Sequence, residues 1–177
     1  MSRKNLSPRI FARMPRNQFL AAGIALGAAA TAIAAASPGV GTSIHQEVEF
    51  EASPVASARA ERIYEALLDD KQFSELSGAS ARIHREAGGT FDLFGGRITG
   101  RNIELVPNQR IVQAWRLQTW PAGVYSIVRF ELTPTESGTR LVFDHTGFPL
   151  GEREALSANW TKKYWAPLRT YLYLDYD

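Results

Sequence analysis

The chain has 177 residues, of which 45% are hydrophobic and 21% charged, with a formal net charge of +2 and no cysteine. This is enough for one domain with a sizeable core, and the lack of cysteine excludes disulfides, thiol nucleophiles and cysteine-ligated metals together. Residues 1–36 hold five of the 20 Lys plus Arg and none of the 18 Asp plus Glu; the rest carries 15 basic against 18 acidic residues, about −3, with the basic ones scattered, which argues against a nucleic-acid face.

Arg3, Lys4, Arg9, Arg13 and Arg16 precede an uncharged apolar run from Phe19 to Ala36. This is the tripartite shape of an export signal, with Ala34-Ala35-Ala36 as the small residues that cleavage needs. Arg16-Asn17-Gln18-Phe19-Leu20 matches the latter half of a twin-arginine motif. Residues 1–36 are therefore expected to be a signal peptide that places the domain in the periplasm or outside the cell, or else an uncleaved anchor through residues 19–36 and the chain's sole membrane contact. Residues 37–43 read as a linker.

Alternation from Ile44 to Ala52 predicts a first strand with Val48 and Phe50 inward; Ile44, Gln46, Val48 and Phe50 are not expected all to be core. Ser53-Pro54 offers an N-cap and first-turn proline for a short helix carrying Val55, Ala58, Ile63, Tyr64, Ala66 and Leu67 and ending near Asp69-Asp70. A second brief helix through Phe73 and Leu76 is expected to close at Gly78. Gly88-Gly89, Gly95-Gly96, Pro107-Asn108, Pro121 to Gly123 and Pro134 to Gly138 then punctuate strand-like segments up to Thr146, the pattern of an antiparallel meander. From Glu152 to about Leu174 the spacing predicts one long helix, roughly 34 Å, with Leu156, Trp160, Tyr164, Leu168 and Leu172 on one face. Pro167 inside it is expected to bend the axis, with Trp165 facing outward or toward the sheet edge.

Residues with chemical potential do not form a catalytic constellation. The paired glycines are followed by no helix N-terminus, and no phosphate-loop or dinucleotide fingerprint is present. His45, His84 and His145 lie in three different strands without metal-ligand spacing, so neither a metal nor a cofactor is implied. Asp144 and His145 are neighbours on a strand and point to opposite faces. No serine nucleophile elbow appears, and the pairs Asp69-Asp70 and Glu152/Glu154 sit at helix ends, where carboxylates are normally solvated.

The aromatic content is more telling. A curved sheet closed by one amphipathic helix often leaves an apolar gap that takes a small ligand, and the expected lining is Leu93, Trp115, Phe130, Phe143, Trp160, Tyr164 and Leu168, with His145 at the rim.

Seven segments in this order, Gly88-Gly89-Thr90-Phe91, Gly95 to Gly100, Glu104 to Pro107, Arg110 to Trp115, Gly138 to Leu141, His145 to Pro149 and Trp165 to Leu168, carry a resemblance that covers Ile44 to Leu174. Here the chain resembles the START-like (SRPBCC) helix-grip domains, and within them the bacterial homologues of the activator of the 90-kDa heat-shock chaperone ATPase. The resemblance implies an α+β fold over residues 44–174: a curved antiparallel sheet of about six strands around a long C-terminal helix, with two short helices after the first strand. It also implies either a cavity for lipid-like or aromatic molecules or a chaperone partner in the stress response; a minority of the superfamily are cyclases or hydrolases. Three readings follow: noncatalytic binding of an apolar or amphipathic small molecule, chaperone co-regulation by protein contact, and an enzyme with His145 as base and Tyr164 or Glu104 as partner.

Overall fold

The computed structural model of the chain describes residues 42–52 and 58–174. The expected leader, most of the linker and the Ser53-Pro54 cap with Val55 lie outside the described residues. Strand β1 (Ser43–Glu51) leads into helices α1 (Ala60–Leu68) and α2 (Asp70–Ser77). Six strands follow, β2 (Arg82–Ile83), β3 (Thr90–Leu93), β4 (Ile98–Val106), β5 (Arg110–Leu117), β6 (Ser126–Thr135) and β7 (Gly138–Thr146). The C-terminal helix runs as α3 (Arg153–Trp160), a π-helical turn (Thr161–Trp165) and α4 (Ala166–Leu174).

The strands form one antiparallel sheet in the order β1-β7-β6-β5-β4-β3-β2. This is the expected α+β helix-grip architecture, a curved sheet with a C-terminal helix, with seven strands where about six were expected. The predicted strand from Ala81 to Glu86 pairs only at Arg82 and Ile83, because His84, Glu86 and Gly89 spend their backbone groups on turn bonds. Asn102 locks this region. Its side chain donates to the His84 carbonyl and accepts from Gln113, and its backbone exchanges bonds with Gly88 and Gly89.

The alternation expected of β1 holds, and Gln46 is the member of that face that is not core. Ile44, Val48 and Phe50 are buried, and Gln46 faces the same side half-buried with its amide bonded at both oxygen and nitrogen. Trp165 Nε1 donates to Gln46 Oε1 at 2.8 Å, and Gln46 Nε2 donates to Ser157 Oγ at 3.2 Å. A polar side chain on an inner face is tolerated when such partners meet it.

The first helix ends at Leu68 with Asp69 as its cap, as expected, and Asp69 has a second role. It ends α1 and at the same time caps α2, its carboxylate accepting from the Gln72 backbone N–H at 2.9 Å. Gly78 closes α2 in the left-handed region, as expected.

The largest departure lies in the long helix. Residues 161–165 form a π turn in which the Ala166 N–H bonds the Thr161 carbonyl, five residues back. A π turn absorbs one extra residue, so Trp160, Tyr164 and Trp165 all reach the inner face, each at most 5% exposed. Trp165 is therefore core and faces the edge strand β1, the second of the two expected orientations, rather than outward. The π turn ends just before Pro167, whose missing N–H already removes one helical bond.

Candidate functional site

Trp160 is the hub of the inner face. Its ring lies 4.3 Å from Phe143, 4.2 Å from Tyr164, 5.7 Å from Trp115 and 5.9 Å from Phe130, and stacks on Trp165 at 5.7 Å. Phe130 and Phe143 are direct partners across β6 and β7, so both point inward, as their alternation predicts. Such aromatic pairs stabilise beyond their buried area by about 0.5–1.5 kcal/mol.

His145 is fully buried and bonded on both ring nitrogens. Trp160 Nε1–H donates to Nδ1 at 3.0 Å, and Nε2 meets Ser126 Oγ at 2.7 Å. The Ser126 hydroxyl donates onward to the Trp115 carbonyl at 3.1 Å, so its oxygen accepts from His145 Nε2–H. The run of donors fixes the neutral Nε2–H tautomer. Burial pushes its pKa down to about 3. A ring held this way is a structural hinge between sheet and helix, without a free nitrogen to act as a base. Glu104, its suggested partner in the enzyme reading, is on the outer face and holds Arg110 through both carboxylate oxygens, at 2.7 and 3.0 Å.

A cavity of about 160 Å³ opens beside Trp160, between the C-terminal helix and the β3–β5 side of the sheet. Trp115, Trp160 and Tyr164 line it, as the sequence led us to expect, whereas Leu93, Phe130, Phe143, His145 and Leu168 pack in the core away from it. Its other walls are Phe94, Ile98, Leu117 and Leu156, and Arg97, Asn159 and Lys163 stand exposed around it. The latter seven were missed. Arg97 follows the Gly95-Gly96 turn, and Asn159 and Lys163 are four apart on the helix, a spacing that could have flagged a polar edge beside the apolar stripe. Phe94 holds φ +54°, unusual for an aromatic residue, and its ring packs on Phe73 and Tyr164. Two buried polar atoms at this cavity lack a partner: the Tyr164 hydroxyl and Trp115 Nε1, which face each other without reaching hydrogen-bond geometry. Burial pushes the Tyr164 pKa up.

The outer face of the sheet is charged. Asp144 accepts from His45 Nδ1 at 2.7 Å and from Arg129 at 2.7 Å; Arg129 also meets Glu131 at 3.3 Å. With Glu104–Arg110 this lays opposite charges across five strands, β1, β7, β6, β5 and β4. The Asp144 bond raises the pKa of His45; Asp144 itself is held low by His45 and Arg129 against the opposing effect of burial. Among the described residues no group of three or more His, Asp and Glu gathers in a metal-binding arrangement.

Residues 57–173 match the model of the family described as Activator of Hsp90 ATPase homolog 1-like protein. The chain belongs to this family. A curated relative, Activator of 90 kDa heat shock protein ATPase homolog 2 of Mus musculus, is 30% identical over 64% of the chain and 34% of its own length. An uncharacterized protein of Schizosaccharomyces pombe is 34% identical over the same shares. The chain thus spans about a third of the length of these relatives. Among solved structures, an HSP90 activator from Plasmodium falciparum superposes with a TM-score of 0.67 at 25% identity, covering 73% of this chain and 95% of that one. The Aha1 dimer from Colwellia psychrerythraea, at 18% identity and a TM-score of 0.61, shares the fold over 75% of this chain and 96% of its own. In this member of the family the cavity and the charged outer face lie on opposite sides of one sheet.

Proposed function

We propose that the protein is a co-regulator of an Hsp90-type chaperone, acting on its ATPase by protein–protein contact. The observation that carries this is the likeness to the Plasmodium falciparum HSP90 activator, which extends over 95% of that chain. The ordered charge ladder on the outer face supports it, since alternating fixed charges set register and partner choice in rigid contacts. The test is chaperone ATP hydrolysis with increasing amounts of the full chain. A saturable rise that is lost in Arg129→Glu/Arg110→Glu is expected; no rise and no complex would overturn the reading. Compartment is an equally sharp test, because the leader has the shape of an export signal: a protein found only outside the cytoplasm, away from a cytoplasmic chaperone, contradicts this role.

A second reading is favoured by the cavity with its two unpartnered polar atoms, namely noncatalytic binding of an apolar or amphipathic small molecule. Displacement of a fluorescent apolar probe in wild type but not in Leu156→Trp, which fills the space, is the expected result. Equal probe binding in both would sink it.

A further inference from the structure

The geometry points to a ligand class for this cavity: a single-ring aromatic carboxylate bearing a second oxygen opposite its carboxylate. The inference rests on the small-molecule reading and goes beyond it in specifying charge and polarity.

Size comes first. About 160 Å³ is close to the roughly 150 Å³ of an engineered apolar cavity that takes up benzene. One ring fills it. The walls suit a ring, with Trp115 and Trp160 tilted by 36° to each other and Ile98, Leu117 and Leu156 completing an apolar slot.

The deep end asks for an oxygen. Trp115 is 2% exposed and Tyr164 is 5% exposed, and the indole N–H and the phenol, which interact with each other, have no partner in hydrogen-bond geometry. The indole only donates and the phenol both donates and accepts, so one ligand oxygen that accepts from Trp115 and bonds Tyr164 satisfies both.

The open end asks for an anion. Arg97 and Lys163 are exposed lining residues, no Asp or Glu lines the cavity, and neither cation makes an ion pair among the described residues. Elsewhere Arg85, Arg110 and Arg129 each hold a carboxylate. Two unpaired cations over an apolar slot favour a carboxylate, with Asn159 beside them as a further donor.

The test is calorimetric titration of the full chain with 4-hydroxybenzoate, benzoate and 4-hydroxybenzamide, with the Trp115 indole resonance followed in ¹⁵N-labelled protein. We expect 4-hydroxybenzoate to bind at least about tenfold more tightly than either analogue, a difference of about 1.4 kcal/mol, with a downfield shift of the Trp115 indole N–H. Arg97→Gln/Lys163→Gln should erase the preference over the amide, and Tyr164→Phe the preference over benzoate; both keep the cavity's apolar walls. Equal binding of amide and carboxylate overturns the anionic class while the cavity reading survives. If none binds and Leu156→Trp leaves apolar-probe binding unchanged, the cavity reading itself is wrong and this inference falls with it.

Discussion

Trp160 Nε1 donates to His145 Nδ1 at 3.0 Å, and this one bond joins the C-terminal helix to strand β7 and dictates which nitrogen of the imidazole carries the proton. Protonating His145 would set two N–H groups against each other, on top of the cost of burying a charge.

His145 should therefore make the fold acid-sensitive. Its folded pKa, about 3, lies below its unfolded value of 6.5, so the unfolded chain binds more protons between those values and stability falls as pH drops through that window. The slope is at most about 1.4 kcal/mol per pH unit. Urea midpoints from pH 7 to 4 in wild type and His145→Phe should diverge in slope; parallel curves would show that another group carries the acid sensitivity. In a ring-proton NMR titration His45 should titrate above 6.5, stabilised by Asp144, while His145 stays neutral down to about pH 4.

Trp160→Ala should cost about 3–5 kcal/mol, as removal of a large core aromatic does, since it strips contacts to Phe143, Tyr164 and Trp115 and the donor to His145. Trp160→Phe should recover much of the packing and still lose about 1–3 kcal/mol for the unpaired imidazole nitrogen. Chemical denaturation measures both, and a Trp160→Phe variant as stable as wild type would deny the hydrogen bond its role.

Tyr164→Phe should be neutral or stabilising, by up to about 1 kcal/mol, because it removes a buried hydroxyl that has no partner. A clear loss of stability in the ligand-free protein would reveal a partner for that hydroxyl.

Deleting Lys162 should be tolerated within about 2 kcal/mol. The π turn holds one residue more than an α-helix needs, and without Lys162 Tyr164 and Trp165 fall three and four positions after Trp160, still on its face. Thermal denaturation with near-ultraviolet circular dichroism would check this; an unfolded variant would mean that the π turn itself is required.

What the sequence alone determined was local. Period-two alternation put Val48, Phe50, Phe130 and Phe143 inward, glycine and proline marked the strand ends, Gly78 stopped α2, and the four-residue spacing of Leu156, Trp160, Tyr164, Leu168 and Leu172 showed which helix face is buried. These follow from neighbours along the chain, and backbone geometry transmits them directly. Tertiary structure decided the rest, because it depends on which distant segments meet. Strand order set Asp144 against His45 and Arg129, and placed Ser126 under His145. The π turn, which leaves no mark in a hydrophobic period, turned Trp165 inward to Gln46. The cavity lies away from Phe130 and Phe143 because those two rings fill each other's space beneath Trp160, and it opens instead where the helix passes Phe94, Ile98 and Leu117.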